Sequence, residues 1–219
     1  MTTIYFVRHV QAAGNIQRTF QGACDTDISA QGELQCQNLS DYFADLSLDA
    51  IYTSPLKRAV LTAEACRAGR KQIPILTDDR LREICAGVWE GQPIDDLEKN
   101  DPENFRIWQQ SPWNFAVEGS ETMVQVFDRC RAALADILAK NAGRSLAVVS
   151  HGCATRNLIT AALGLPIEEM GQVEWIRNGG VSKMEFAADA IPGILVYHGY
   201  TGHIDPSTIL KGGTFYSRK

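Results

Sequence analysis

Leu146-Ala147-Val148-Val149-Ser150-His151-Gly152 is the stretch on which the reading of the fold turns. Four consecutive apolar residues followed by two polar ones and a glycine predict a strand buried on both faces that ends at His151. A helical pattern starts at once, from Cys153 to Leu163, and Gly164 with Pro166 stops it. On the amino side, Met123, Val126, Phe127, Cys130, Leu134, Ile137 and Leu138 keep a three-four spacing that Asn141-Ala142-Gly143 ends. Helix, buried strand, helix is the signature of a parallel sheet covered on its faces.

Further out the alternation continues. Thr3 to Val7 and Asp49 to Thr53 read as strands, Pro74 to Thr77 as a short one, and Val181 to Phe186 and Ile194 to Tyr197 as two late ones. A polar, glycine-containing loop runs through Asp27, after which Ser29 is placed to cap a helix with Leu39, Tyr42, Phe43 and Leu46 on one face. Ser54-Pro55 predicts another helix start, a capping hydroxyl before a first-turn proline, with the helix reaching Arg67. From Leu81 to about Gly119 periodicity loosens. Pro93, Pro102 and Pro112, with Trp89, Trp108 and Trp113, predict short helices joined by turns, as in an insertion that covers a site. The pattern implies an α/β sandwich with a mostly parallel sheet.

The 219 residues suffice for one sizeable domain, which at this length buries roughly 70% of the surface its unfolded chain exposes. A balance of 21 Lys+Arg against 26 Asp+Glu leaves −5, and no basic stripe is visible. Nucleic acid and anionic membrane are therefore not expected partners. Arg8 interrupts the only apolar stretch near the start, and no run approaches the eighteen or so apolar residues of a membrane span. Six cysteines without a C-x-x-C pair read as reduced, mostly buried thiols, and the expected compartment is the cytoplasm.

In a mostly parallel sheet, ligands bind outside the carboxyl ends of the strands. That rule selects Arg8 and His9, Ser54 to Arg58, and His151-Gly152. A lone histidine at a strand end is more often a packing residue, but two of the four histidines stand at equivalent ends, one beside an arginine. Arg8 and Arg58 suit an oxyanion, because a guanidinium donates two parallel charge-assisted hydrogen bonds. The helix starts after Ser54 and His151-Gly152 are expected to aim free N–H groups at the same place.

Arg8-His9, Ser54-Pro55-Leu56-Lys57-Arg58-Ala59, Leu81-Arg82-Glu83-Ile84 with Gly87 and Trp89-Glu90-Gly91, and Val148-Val149-Ser150-His151-Gly152 occur in one order. In that order the sequence resembles the histidine phosphatase, or phosphoglycerate mutase-like, superfamily. Asn15, Gln21-Gly22, Asp27, Gln31-Gly32 and the stretch Gly119 to Thr122 with Arg129 add lesser matches, so the resemblance spans residues 3 to 203. It implies a three-layer α/β/α sandwich forming a single domain over 1–219, with residues 84–118 as a helical insertion shaping the substrate pocket. It also implies a phosphoric monoester hydrolase of the histidine acid phosphatase type, acting on a small phosphorylated metabolite. His9 would be the nucleophile that becomes phosphohistidine, and Glu83 the general acid and base. Arg8, Arg58 and His151 would hold the phosphoryl oxygens, helped by Asn15, Gln21, Gly22 and Gly152. Neither metal nor cofactor is called for.

Two rival functions are compatible with these residues. A phosphoglycerate mutase would use the same phosphohistidine, but Ile84 to Gly91 lacks the long tyrosine- and lysine-bearing stretch by which such mutases hold their substrate. A catalytically weak phospho-ligand-binding domain would keep the arginines while losing His9 or Glu83. The sequence departs from the family at Val10 and Ala12, where glycine and threonine are usual. If position 10 needed a positive φ, valine there would be strained. Glu121 has a structural role at a helix start or a place in the site, and His198 and His203 read as structural. Cys85 and Cys153 flank the expected site, with burial the simpler account. Ile204, Ile209 and Leu210 look exposed and offer a homodimer contact.

Overall fold

The computed structural model describes residues 1–187 and 190–210. Its strands are β1 (Thr2–Arg8), β2 (Ala50–Thr53), β3 (Ile75–Thr77), β4 (Ser145–Ser150), β5 (Val181–Phe186) and β6 (Ile194–Tyr200). They form a six-stranded sheet in the order β3-β2-β4-β1-β5-β6. The β3-β2, β2-β4 and β4-β1 pairs are parallel, whereas β5 runs antiparallel to both β1 and β6. The sheet is mostly parallel, as its alternation with helices predicts. Its helices are α1 (Ala13–Ile16), α2 (Ala30–Ala44), α3 (Lys57–Arg67), α4 (Ile94–Asn100), α5 (Pro102–Gln110), α6 (Met123–Lys140) and α7 (Gly152–Ala162).

The period of two along each strand divides the core into two layers. Ile4, Phe6, Leu146 and Val148 face a cluster that takes Val126, Leu134 and Ile137 from α6 and Leu158 and Ile159 from α7. Tyr5, Val7, Ala147, Val149 and Ile51 face the other, which takes Leu39 and Phe43 from α2 and Ala59, Ala63 and Cys66 from α3. Helices on both faces of one sheet make the three-layer sandwich.

Local caps behave as the sequence suggests at α2 and α6. Ser29 Oγ accepts from Gly32 N, and Thr122 and Gln125 close a reciprocal capping box. At α3 they do not. This helix begins at Lys57, its cap position is Leu56, and Asp25 Oδ1 from a distant loop accepts from Lys57 N at 2.8 Å. Ser54 is drawn off the helix to the imidazole of His151. The tail also differs from expectation. Ile204 is 3% exposed, packed beside Gly179, and Ile209 is half-buried, whereas Leu210 is exposed as expected; Ile209 and Leu210 both line the cavity described below. The remainder of the tail, 211–219, lies outside the described residues.

Residues 84–118 leave and rejoin the sheet through a narrow neck. Ala86 and Ser120 form an isolated bridge, Val88 N donates to Glu118 O at 3.0 Å, and Glu121 N donates to Cys85 O at 2.9 Å. Beyond it, Trp89, Trp108 and Phe115 meet edge-on or tilted, and Phe20 from the amino-terminal loop stands 5.0 Å from Trp108. Large aromatic surfaces thus stabilise short helices that have little helical propensity to spare.

Gly87 makes the neck geometrically possible. Its φ is +54°, and a Cβ there would lie 2.1 Å from Glu118 O. Gly87→Ala is expected to cost about 1–3 kcal/mol through left-handed strain and displacement of the Glu118 backbone. At about 2–4 °C per kcal/mol for a chain of this size, thermal unfolding reads the loss directly, and an unchanged Tm would show that the neck yields freely.

Candidate active site

Strand register assembles the site. Arg8 pairs with Ser150 and Thr53 with Val149, so β1, β2 and β4 end nearly level. His9 N then donates to Ser150 O at 2.9 Å, and Ser54 N to Val149 O at 3.1 Å. The consequence is that the His9 and His151 rings stand 5.1 Å apart between centroids, tilted by 57°.

Each imidazole has one nitrogen committed. His9 Nδ1 lies 2.7 Å from Val10 O, and a carbonyl only accepts, so Nδ1 carries the proton and Nε2 keeps its lone pair. His151 Nε2 shares a 2.7 Å hydrogen bond with Ser54 Oγ, which also accepts from Leu56 N at 3.2 Å. This bond is what takes Ser54 from the cap of α3. His151 Nδ1 is buried without a partner among the described residues. Burial, followed by the positive charge of Arg58 and Arg8, pushes the His9 imidazolium well below the usual histidine range. Burial and then Arg58 do the same to His151.

The two guanidiniums are held by carbonyls. Arg58, 1% exposed, donates to Cys24 O at 2.5 Å and to Gly22 O at 2.9 Å, and its Nε has no partner among the described residues. Arg8 donates to Ile176 O at 2.6 Å. That side chain packs over Gly152, where a Cβ would meet the Arg8 guanidinium carbon at 3.4 Å, an ordinary contact. These carbonyl acceptors orient both cations beside His9.

The loop after β1 forms the near wall. Asn15 Oδ1 accepts from Ala12 N at 2.9 Å and from Asn178 Nδ2 at 3.3 Å. Gln21 Oε1 accepts from Thr26 Oγ1 at 2.6 Å, and Gly22 has φ +50° with no room for a side chain beside Glu90. Glu90 ties this loop to the insertion by accepting from Ala23 N at 2.8 Å and Ala86 N at 3.0 Å.

Glu83 sits at the start of α7. Its Oε2 accepts from Cys153 N and its Oε1 from Ala154 N, both at 3.0 Å. At the two helix starts the N–H groups of Cys153 and Ala154 are therefore taken by Glu83 and that of Lys57 by Asp25. A cavity of about 260 Å³ opens at this place, and Arg8, His9, Asn15, Gln21, Gly22, Arg58 and Glu83 all line it. His151 and Gly152 stand behind this first layer, His151 fully buried against His9.

Residues 4–196 match the family model described as histidine phosphatase superfamily (branch 1). The chain belongs to the histidine phosphatase superfamily. It is 31% identical to phosphoserine phosphatase 1 of Hydrogenobacter thermophilus, over 77% of this chain and 80% of that one. It is 33% identical to a probable phosphoglycerate mutase, GpmB, of Salmonella choleraesuis, over 85% and 86% of the two chains. Among solved structures, Bacillus stearothermophilus YhfR superposes with a TM-score of 0.86 at 31% identity, covering 94% of this chain and all of the other.

Within this member of the superfamily, several residues of the site escape the sequence. Asn178 Nδ2 donates to His9 O at 3.0 Å and so braces the strand end from the far side. Arg177, Gln11 and Gln35 line the cavity, and Gln35 links the His9 loop to the tail through Gln11 N and Thr208 O. Asn178-Gly179-Gly180 before an apolar strand is the one available signal. Other readings resolve into structure. Glu121 pairs with Arg129 at 2.8 Å and accepts from Cys85 N. His198 lies between Ser182 Oγ and Glu174 O, and His203 bonds Gly179 O and stacks on Tyr42. Cys153 is buried and Cys85 half-buried.

At pH 6.5, where an unshifted histidine is half protonated, His9 and His151 are expected to be neutral, with His9 as the Nδ1–H tautomer. Nitrogen-detected NMR checks this, and half-protonated rings would contradict it. The unfolded chain takes up these protons first, so the associated stability is complete above about pH 6.5 and falls as pH drops toward the lower folded values.

Proposed function

We propose that this chain is a metal-independent phosphomonoester hydrolase of the histidine acid phosphatase type, acting on a small phosphorylated metabolite through a phosphohistidine at His9. The observation that carries the proposal is the Nδ1–H···O=C bond to Val10, which leaves Nε2 of a neutral, buried imidazole as a lone pair in a cavity lined by two guanidiniums. In the first step Nε2 forms a bond to phosphorus while the ester P–O bond breaks. The electron pair leaves on the alcohol oxygen, which takes a proton from Glu83 in its acid form. In the second step water attacks phosphorus and gives its proton to the Glu83 carboxylate, and the P–N bond returns its electron pair to Nε2.

Arg8 and Arg58 offset the charge that spreads over the phosphoryl oxygens. When the Ser54 hydroxyl donates its hydrogen bond to Nε2, the neutral His151 ring carries its proton on Nδ1, which is then a donor. The proposed domain is the whole of 1–219, with 84–118 contributing Ile84, Ile94 and Trp108 to the pocket. The likeness to a phosphoserine phosphatase and to α-ribazole phosphatases supports hydrolysis. The likeness to a probable phosphoglycerate mutase keeps isomerisation as the second reading.

Nitrophenyl phosphate in the presence of a chelator is expected to be hydrolysed, and His9→Ala to abolish both turnover and the acid-labile phosphoenzyme. Full activity in that variant would end the mechanism. Glu83→Gln is expected to lose on the order of 10²–10⁴-fold with an alkyl phosphate and far less in phosphoenzyme formation from nitrophenyl phosphate, whose leaving group needs little protonation. Equal losses would remove Glu83 as the acid. Phosphate release without transfer between the positions of phosphoglycerate separates hydrolase from mutase.

Glu90→Ala tests the loop that carries Gly22 and Cys24 carbonyls to Arg58. With its acceptors gone, KM is expected to rise several-fold while the pH profile keeps its shape, and an unchanged KM would show that the loop holds itself.

A further inference from the structure

The cavity wall carries more positive charge than one phosphoryl group uses. Among the described residues four arginines line it, at positions 8, 18, 58 and 177, against one carboxylate, Glu83. Arg8 and Arg58 flank His9. Arg18 is paired with Asp95 at 3.1 Å, which spends its charge between the amino-terminal loop and the insertion. Arg177 makes no ion pair and no side-chain hydrogen bond among the described residues.

Its backbone is nonetheless held firmly. The preceding carbonyl, Ile176 O, accepts from Arg8 at 2.6 Å, and the following side chain, Asn178 Nδ2, donates to His9 O at 3.0 Å. Gly180 N donates to Arg177 O at 2.9 Å, closing a turn. The one guanidinium of the pocket left uncommitted among the described residues is thus anchored on either side to the phosphoryl-transfer pair. The same cavity is also lined by apolar surfaces, Phe20, Ile94 and Trp108 among them.

We infer that Arg177 determines specificity by pairing with a carboxylate on the alcohol half of the substrate. The substrate class is then a small phosphomonoester whose leaving alcohol bears a carboxylate a few bonds from the ester oxygen. A single planar guanidinium matches a carboxylate's two oxygens, whereas a second phosphate would call for more positive charge than Arg177 alone supplies. The cavity, about 260 Å³, suits a small molecule of this kind. This assignment rests on the hydrolase reading for its chemistry but is separable from it by experiment.

The test compares ligand pairs that differ at the carboxylate: phosphoserine with phosphoethanolamine, and phosphoglycerate with glycerol phosphate. Dissociation constants are measured by calorimetry on His9→Ala, which cannot be phosphorylated there, and kcat/KM on the otherwise unaltered chain. The carboxylate member of each pair is expected to be favoured by about tenfold or more. Arg177→Gln should reduce that preference to within about twofold while the carboxylate-free ligands change little, and Arg18→Gln should leave it standing. Equal binding of the pair members in the parent protein, equal loss for both in Arg177→Gln, or transfer of the effect to Arg18→Gln would each overturn the assignment. Phosphate release from nitrophenyl phosphate reads the hydrolase proposal separately. A chain that prefers carboxylate ligands through Arg177 and releases no phosphate would keep this inference and lose that one; a hydrolase indifferent to the carboxylate would do the reverse.

Discussion

The structure depends on the register by which β4 lies between β1 and β2. Parallel strands place equivalent residues side by side, so one pairing, Arg8 with Ser150, decides that His9 and His151 emerge together. The same register brings Ser54 within reach of His151. A slip of one residue would turn Val7 and Val149 from the α2–α3 layer to the other and scatter the histidines. The core therefore protects the site geometry, since Ile4, Phe6, Leu146 and Val148 on one face and Tyr5, Val7, Ala147 and Val149 on the other all lose burial if the register moves.

Charge is arranged with the same economy. Buried guanidiniums usually lie against carboxylates, and such pairs would cancel the field that an incoming phosphate needs. Here the carbonyls of Gly22, Cys24 and Ile176 accept from Arg58 and Arg8 and orient both guanidiniums. Burial, and after it the positive charge of Arg58 and Arg8, is what disfavours the protonated forms of His9 and His151. Carboxylates also brace the frame around the cavity. Asp25 and Glu83 occupy the first turns of α3 and α7, and Glu90 knits the Gly22 loop to the insertion. A net charge of −5 thus coexists with a cationic cavity.

Much of this is legible in the sequence because parallel strands announce themselves twice, by an apolar run and by the polar residues at its carboxyl end. Arg8, His9, Arg58 and His151 stand out that way, and the insertion by its prolines and tryptophans. The same rule directs attention to residues after β5, yet β5 is antiparallel to β1, so its beginning, not its end, reaches the cavity. Arg177 and Asn178 escape the sequence for that reason. Ser54 misleads because its hydroxyl has two candidate partners, and a buried imidazole outcompetes a helix start whose N–H groups Asp25 can serve. Ile204 reads as exposed because tertiary packing against Gly179 has no local signature.

The departures at positions 10 and 12 show how the His9 loop tolerates sequence change. Val10 is absent from the positive-φ residues, so no glycine is needed, and its side chain is buried with the α2–α3 layer. What the loop contributes is backbone. Val10 O accepts from His9 Nδ1, Val10 N donates to Thr62 Oγ1, and Ala12 N donates to Asn15 Oδ1. Thr62 in turn donates to Arg58 O, so the carbonyl that fixes the His9 tautomer is connected through α3 to the arginine beside it. Side chains at 10 and 12 can vary so long as they leave these backbone groups in place, because it is the Val10 carbonyl that holds His9 Nδ1 and leaves Nε2 to the cavity.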